Sequence, residues 1–236
     1  MTANNDLTAR LDKGEIIFLD GGIGTELERL GAPMDHDTWC AVALQTHPHL
    51  VKDVHRSYIN AGADVITVNT YAATRIALRN AGIEEKFEEW NRLAVQLAKE
   101  TLAECDPSRP VYVAGSVSTF ASSSRFGRSW KEGAGELKLW FREQAELLVE
   151  SGVDLLLIET LASESSVMSA AVEAASDFDV PIWAALSCAR DRKTGELSLG
   201  VEESSSQSQT FYAYHEPFDL ALDKLATQGG YSALLV

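Results

Sequence analysis

Apolar runs of strand length recur along this 236-residue chain: IIFLD at 16–20, VITVN at 65–69, VYVAG at 111–115, LLLIE at 155–159, IWAALS at 182–187 and ALLV at 233–236. Helical patterns lie between them. In PHLVKDVHRSYINAG, at 48–62, Leu50, Val51, Val54, Tyr58 and Ile59 fall on one face. KFEEWNRLAVQLAKETLAE at 86–104, ELKLWFREQAELLVESG at 136–152 and SESSVMSAAVEAASD at 163–177 carry the same period, and a further helical pattern starts just after DGG at 20–22. Uniformly apolar strands alternating with amphipathic helices predict a parallel sheet covered by helices.

An internal repeat strengthens this prediction. NAGADVITVNT at 60–70 and ESGVDLLLIET at 150–160 each read as a helix end, a glycine stop, a short turn and a buried strand closed by a polar residue and a threonine. A third copy begins in TQGGYSALLV, with Gly230 in the place of Gly152. Six strands fall short of the eight that close an α/β barrel. In a six-stranded open sheet the last strand would lack its covering helix, so the pattern favours an α/β barrel, (β/α)8, truncated after about six strands. No shift in composition divides the chain, and one domain over 1–236 is expected. The polar, Ser-rich stretch 187–217 predicts a long loop after the fifth strand, with a short hairpin around DRKTGELSLG at 191–200.

Composition narrows the function. Apolar residues make up 45% of the chain, enough for a sizeable core, while 35 acidic against 20 basic residues give a formal charge of −15. Such a surface repels phosphate backbones and anionic lipid, so neither nucleic acid nor membrane is expected as a partner. Cys40, Cys105 and Cys188 are far apart and form no CxxC pair, which fits a reducing, cytoplasmic setting better than a disulfide framework. The polar first residues lack the apolar segment of a signal peptide, and no apolar run approaches the ~18 residues of a membrane span.

Ligands of parallel α/β folds bind at the carboxyl ends of the strands. The residues predicted there are Asp20, Asn69-Thr70-Tyr71, Ser116, Ser118-Thr119, Glu159-Thr160 and Ser187-Cys188. Asp20 at a strand tip either meets a ligand or caps the helix that follows, and Gly21 and Gly22 either open space for a ligand or turn the chain. Glu159, closing a run of Leu and Ile, needs a cation or hydrogen-bond donors. GGIGTE is not a dinucleotide fingerprint, because Leu27 stands where its last glycine belongs. The HPH at 47–49 offers metal-ligand chemistry but reads as the exposed start of a helix, and His55 reads as a packing residue. Arg125 and Arg128, in SSSRFGRSW at 122–130, could meet an anion, or simply solvate a loop.

FLDGGIGTELERLG, then Trp39, then HPHLVKDVHRSYINAGADVITVNTYAAT, AGSVSTF and LLLIETLASESSVMSA, in that order from about residue 15 to about residue 188, together resemble the homocysteine S-methyltransferase family. The resemblance implies a (β/α)8 barrel that moves a methyl group from a sulfonium, ammonium or folate-type donor to the thiol of homocysteine, giving methionine. It implies that Asp20 and Glu159 hold the substrate ammonium, that Gly21 and Gly22 leave room for it, and that Thr70 and Tyr71 line the pocket. Asn69, Ser116, Thr119 and Cys188 are secondary candidates. The family makes its thiolate by binding the sulfur to zinc. Its zinc-ligating cysteines lie in an Asn-Cys segment and a later Gly-Gly-Cys-Cys segment, and neither occurs in these 236 residues. No metal ligand is therefore expected in this chain. A metal-free barrel leaves two alternatives: a lyase using Asp20 and Glu159 as acid and base, or a non-catalytic binding protein. A homo-oligomer covering exposed sheet edges is a further expectation.

Overall fold

The structure, a computed structural model, describes residues 3–120, 134–161, 165–190, 194–199 and 216–235. Its helices are α1 (Ala3–Asp12), α2 (Ile23–Arg29), α3 (Ala43–Thr46), α4 (Pro48–Ala61), α5 (Arg75–Asn80), α6 (Phe87–Cys105), α7 (Ala134–Glu150), α8 (Ser165–Ala175) and α9 (Phe218–Gln228). Strands β1 (Val65–Thr67), β2 (Tyr112–Val117), β3 (Leu155–Leu161), β4 (Ile182–Leu186) and β7 (Ala233–Leu235) form one parallel sheet in the order β1-β2-β3-β4-β7. Neighbours in the sheet are thus neighbours among the predicted strands, as in a barrel wall. Strands β5 (Cys188–Arg190) and β6 (Leu197–Leu199) make the expected antiparallel hairpin. The rest of the predicted long loop, and SSSRFGRSW with Arg125 and Arg128, lie outside the described residues.

The repeat fixes where strands begin. Gly62, Gly152 and Gly230 all have positive φ, of 106°, 86° and 83°, and β1, β3 and β7 each start three residues later. Glycine adopts that backbone without the Cβ penalty, so each copy reverses the chain after a helix and feeds a strand. In the first two copies the aspartate before the strand accepts a backbone N–H from the chain alongside. Asp64 bonds Phe18 N (3.0 Å) and Asp154 bonds Val113 N (2.8 Å).

Side-chain parity divides the core in two. Val65, Tyr112, Ala114, Leu155, Leu157 and Trp183 cluster on the inner face of the sheet. Ile66, Val113, Leu156, Ile158, Ile182 and Ala184 point the other way and pack with the helices. Burial on both faces is why the strands read as continuous apolar runs.

One expectation needs correction. The run 16–20 is not a strand: only Leu19 bridges Val65, with Phe18 O accepting from Asp64 N and Val65 N, and Asp20 N donating to Val65 O. The segment has a ladder on one side alone, and Ile16 and Phe18 are exposed (75% and 61%). Apolar content favours a strand only where neighbours bury it. The polar N-terminus forms α1. Its Leu7 is buried in the inner cluster, and Asp6 accepts from the Tyr112 hydroxyl (2.6 Å). Arg10 ties the helix to Asp64 (3.2 Å) and Glu15 (2.9 Å). Helix α1 therefore plugs the end of the sheet where the strands begin. Two apolar residues one turn apart, Leu7 and Leu11, are too few to show a period in the sequence.

Candidate functional site

At the opposite end, where the strands finish, a cavity of about 450 Å³ is lined by the segment 19–25, by Trp39, Cys40, Thr67, Val68, Asn69 and Tyr71, and by Leu157 and Glu159. Two carboxylates face into it, each held by a hydroxyl from a neighbouring strand. Asp20 accepts from Thr67 N (2.7 Å) on one oxygen and Thr67 Oγ1 (2.8 Å) on the other. Glu159 Oε1 accepts from Ser116 Oγ (2.5 Å). Val65, Thr67 and Asn69 share one parity, as do Tyr112, Ala114 and Ser116, and Leu155, Leu157 and Glu159. The alternation that sends the inner apolar cluster inward thus sends these polar groups into the mouth. Glu159 also lies in a bulge, where the β3–β4 register slips between Ile158 and Leu161. Bulges of this kind re-aim side chains at functional rims.

The helix-cap role considered for Asp20 is not observed: α2 begins after Gly22 with no side-chain cap. The glycines are there for closeness. A Cβ on Gly21 would lie 2.7 Å from Tyr58 Oη, and one on Gly24 would lie 2.5 Å from the Trp39 ring.

Among the described residues neither carboxylate has a cationic partner. Burial pushes Asp20 up to about 7, with Thr67 pulling down and the charge of Glu159 adding to the rise. Burial also raises Glu159, against the Ser116 hydrogen bond. A pair of half-desolvated carboxylates without a cation is poised to take one from a ligand.

The sequence candidates divide. Asp20, Gly21, Gly22, Asn69, Tyr71 and Glu159 line the cavity. Ser116 does not line it but bonds Glu159. Thr70 is fully buried behind the wall, donating to Ser116 O (2.7 Å). Thr119 lines a smaller neighbouring cleft with Thr74, Phe120 and Trp140. Cys188 sits in the β5–β6 hairpin and does not reach the cavity. Sequence reasoning passed over Thr67, which parity with Val65 would have revealed, and Trp39 and Cys40, which stand at the start of a three-residue 3-10 helix, Cys40–Val42, too short to leave a periodic signal. Trp39 stacks on Phe120 (centroids 6.2 Å apart) and meets Tyr71 edge-on (5.9 Å), building an aromatic side to the mouth.

Of the HPH at 47–49, expected to be exposed, His49 is exposed in the first turn of α4, whereas His47 before it is half-buried. His55 is buried, and among the described residues neither ring nitrogen has a hydrogen-bond partner. Among the described residues no three His, Cys, Asp or Glu side chains come together in a way that could hold a metal ion.

A parallel α/β barrel wall whose strand ends present a carboxylate pair to a small-molecule cavity defines the class. The sequence profile of homocysteine S-methyltransferases matches residues 17–212. The homocysteine S-methyltransferase of Escherichia coli K12 is 32% identical over 176 residues, 71% of this chain and 57% of that protein. The selenocysteine Se-methyltransferase of Brassica oleracea is 33% identical over 169 residues, 64% of this chain and 49% of that protein. The metallated form of the Escherichia coli homocysteine methyltransferase MmuM superposes with a TM-score of 0.73 at 26% identity, over 96% of this chain and 75% of that one. The chain belongs to the homocysteine S-methyltransferase family, and it spans about half the length of the curated relatives it matches.

Proposed function

We propose that the cavity binds the amino-acid end of homocysteine and serves methyl transfer to its sulfur. The observation that carries this reading is the Asp20–Glu159 pair, two carboxylates raised by burial and lacking a cation among the described residues. An α-ammonium fits that demand, because it donates to both carboxylates and removes the repulsion between them. Ser116 and Thr67 orient the acceptors without neutralising them, so the charge stays available to the ligand. In the reaction the thiol proton leaves, a sulfur–carbon bond forms, and the bond from the methyl carbon to the donor's sulfur or nitrogen breaks. The whole barrel is proposed to work as one domain in the cytoplasm. No described helix is long and apolar enough to cross a membrane.

A homocysteine thiol, with a pKa near ~8.5, is mostly protonated at neutral pH and must be ionised before it attacks. The family resemblance implies zinc for that task, but the described donor set does not fit a zinc centre. Among the described residues no three His, Cys, Asp or Glu side chains come together to hold a metal ion, and the described thiol at the cavity, Cys40, is buried and already bonded to Asn69. Asp20 and Glu159 bind and orient the substrate's amino-acid end.

Calorimetric titration of the chain with L-homocysteine tests the proposal. Glu159→Gln keeps the shape and the Ser116 contact and removes the charge. Affinity is expected to fall at least tenfold, about 1.4 kcal/mol. Equal affinity in the two proteins would remove Glu159 from the site.

A further inference from the structure

The segment before α3 carries a strained residue at the cavity. Trp39 has φ 42° and ψ −119°, a conformation rare for any residue with a Cβ. Such a backbone persists only when its surroundings force it, and here the restraints come from both sides. On the amino-terminal side Asp35 N donates to Trp39 O (3.0 Å), while the Asp35 carboxylate accepts from Asp37 N, Thr38 N and Thr38 Oγ1. On the carboxyl-terminal side Cys40 and Asn69 bond reciprocally. Cys40 Sγ donates to Asn69 Oδ1 (3.2 Å), and Asn69 Nδ2 donates to Cys40 O (3.1 Å). Both residues are buried, at 1% and 2% exposure. The Asp35 bonds are local and move with the loop. The Asn69 pair alone of these crosses to the tip of β1 and ties the loop to the barrel.

We infer that Asn69 is a positioning residue: through Cys40 it latches the strained loop to the barrel and so holds the Trp39 indole in the cavity wall. The indole occupies the one place on α2 that has no Cβ, with its ring atoms 2.5–2.9 Å from where a Gly24 Cβ would be. Its other neighbours, Tyr71 and Phe120, complete the aromatic side of the mouth. Without the latch, Trp39 relaxes to an ordinary backbone and the indole leaves the wall. The inference concerns the shape of the cavity and stands whether or not its ligand is homocysteine.

Thiol labelling tests it without any assay of methyl transfer. With Cys105 and Cys188 replaced by serine, Cys40 is the single thiol, and it is expected to react slowly with a small aromatic disulfide. Asn69→Ala should raise that rate at least tenfold, and Trp39→Gly, which removes the strain, should itself change access to Cys40. The decisive quantity is the effect of Asn69→Ala in each background. It should shrink to under about threefold once Trp39 is glycine, because no strain then drives the loop open. An equal effect in both backgrounds, or no effect in either, would reduce Asn69 to a packing residue and overturn the inference. If Asn69→Ala does not fold, Asn69→Asp keeps the size and the acceptor oxygen, loses the donor to Cys40 O, and carries the same two expectations.

Discussion

Replacing Asp20 with asparagine should make the ligand-free protein more stable above neutral pH. An aspartate titrates near 3.8 when unfolded, and burial in the cavity wall lifts Asp20 to about 7. The folded protein therefore holds this proton more tightly than the unfolded chain. Between about pH 4 and pH 7 the folded state binds the extra proton, so stability falls as pH rises through that window and is level above it. At about 1.36 kcal/mol per pH unit, the stretch from pH 5 to pH 7 alone holds ~3 kcal/mol. Asparagine keeps an oxygen to accept one Thr67 hydrogen bond but turns its amide N–H groups towards the other donor, a loss of about 1 kcal/mol. The net gain at pH 8 is ~2 kcal/mol or more, with the ammonium site lost as its cost. Urea unfolding of both proteins at about pH 5 and pH 8 measures it, and the useful quantity is the difference of differences. Groups that do not interact with Asp20, including His55, are common to both proteins and cancel, while Glu159, whose charge adds to the Asp20 rise, belongs to the measured difference. Wild type should lose ~3 kcal/mol relative to Asp20→Asn between the two pH values. A relative change of zero, or one in which wild type gains, would mean that Asp20 is ionised in the folded protein without penalty, and the carboxylate pair would lose its reason to seek a cation.

Other consequences are open to simpler tests. His55 is fully buried, lacks a hydrogen-bond partner among the described residues, and is held down to about 4 by desolvation. The unfolded chain then binds the extra proton between about pH 6.5 and pH 4, so stability is lost as pH falls through that window, by up to ~3 kcal/mol. His55→Leu should unfold with less acid sensitivity there, and an unchanged pH profile by circular dichroism would contradict the assignment. Leu7→Ala empties the plug beneath the inner cluster and should cost about 2–5 kcal/mol in urea unfolding. A loss under about 0.5 kcal/mol would show that α1 does not seal that end in solution.

Much of this protein was settled by its sequence. The apolar runs at 65–69, 111–115, 155–159, 182–187 and 233–236 each became a strand of the parallel sheet, because a strand buried on both faces has no polar alternation to blur it. The glycine repeat marked the start of three strands to the residue, since a left-handed stop leaves the chain little freedom before the next ladder begins. Asp20, Gly21, Gly22, Asn69, Tyr71 and Glu159 were recognisable as cavity residues, because strand ends are where such folds open. Tertiary structure alone decided the rest. IIFLD has the composition of a strand, yet it meets β1 at the single Leu19–Val65 bridge and leaves Ile16 and Phe18 exposed, so no ladder extends along it. Helix α1 exists because Leu7 finds an apolar end to close, which no local pattern foretells. Thr70 and Thr119 sit at strand ends but turn behind or beside the cavity, since the turn after a strand breaks the parity that aims its side chains. The sequence gives no hint that Trp39 is strained, because strain arises from what the surroundings enforce: a missing Cβ at Gly24, and an asparagine at position 69 reaching back 29 residues to hold a cysteine.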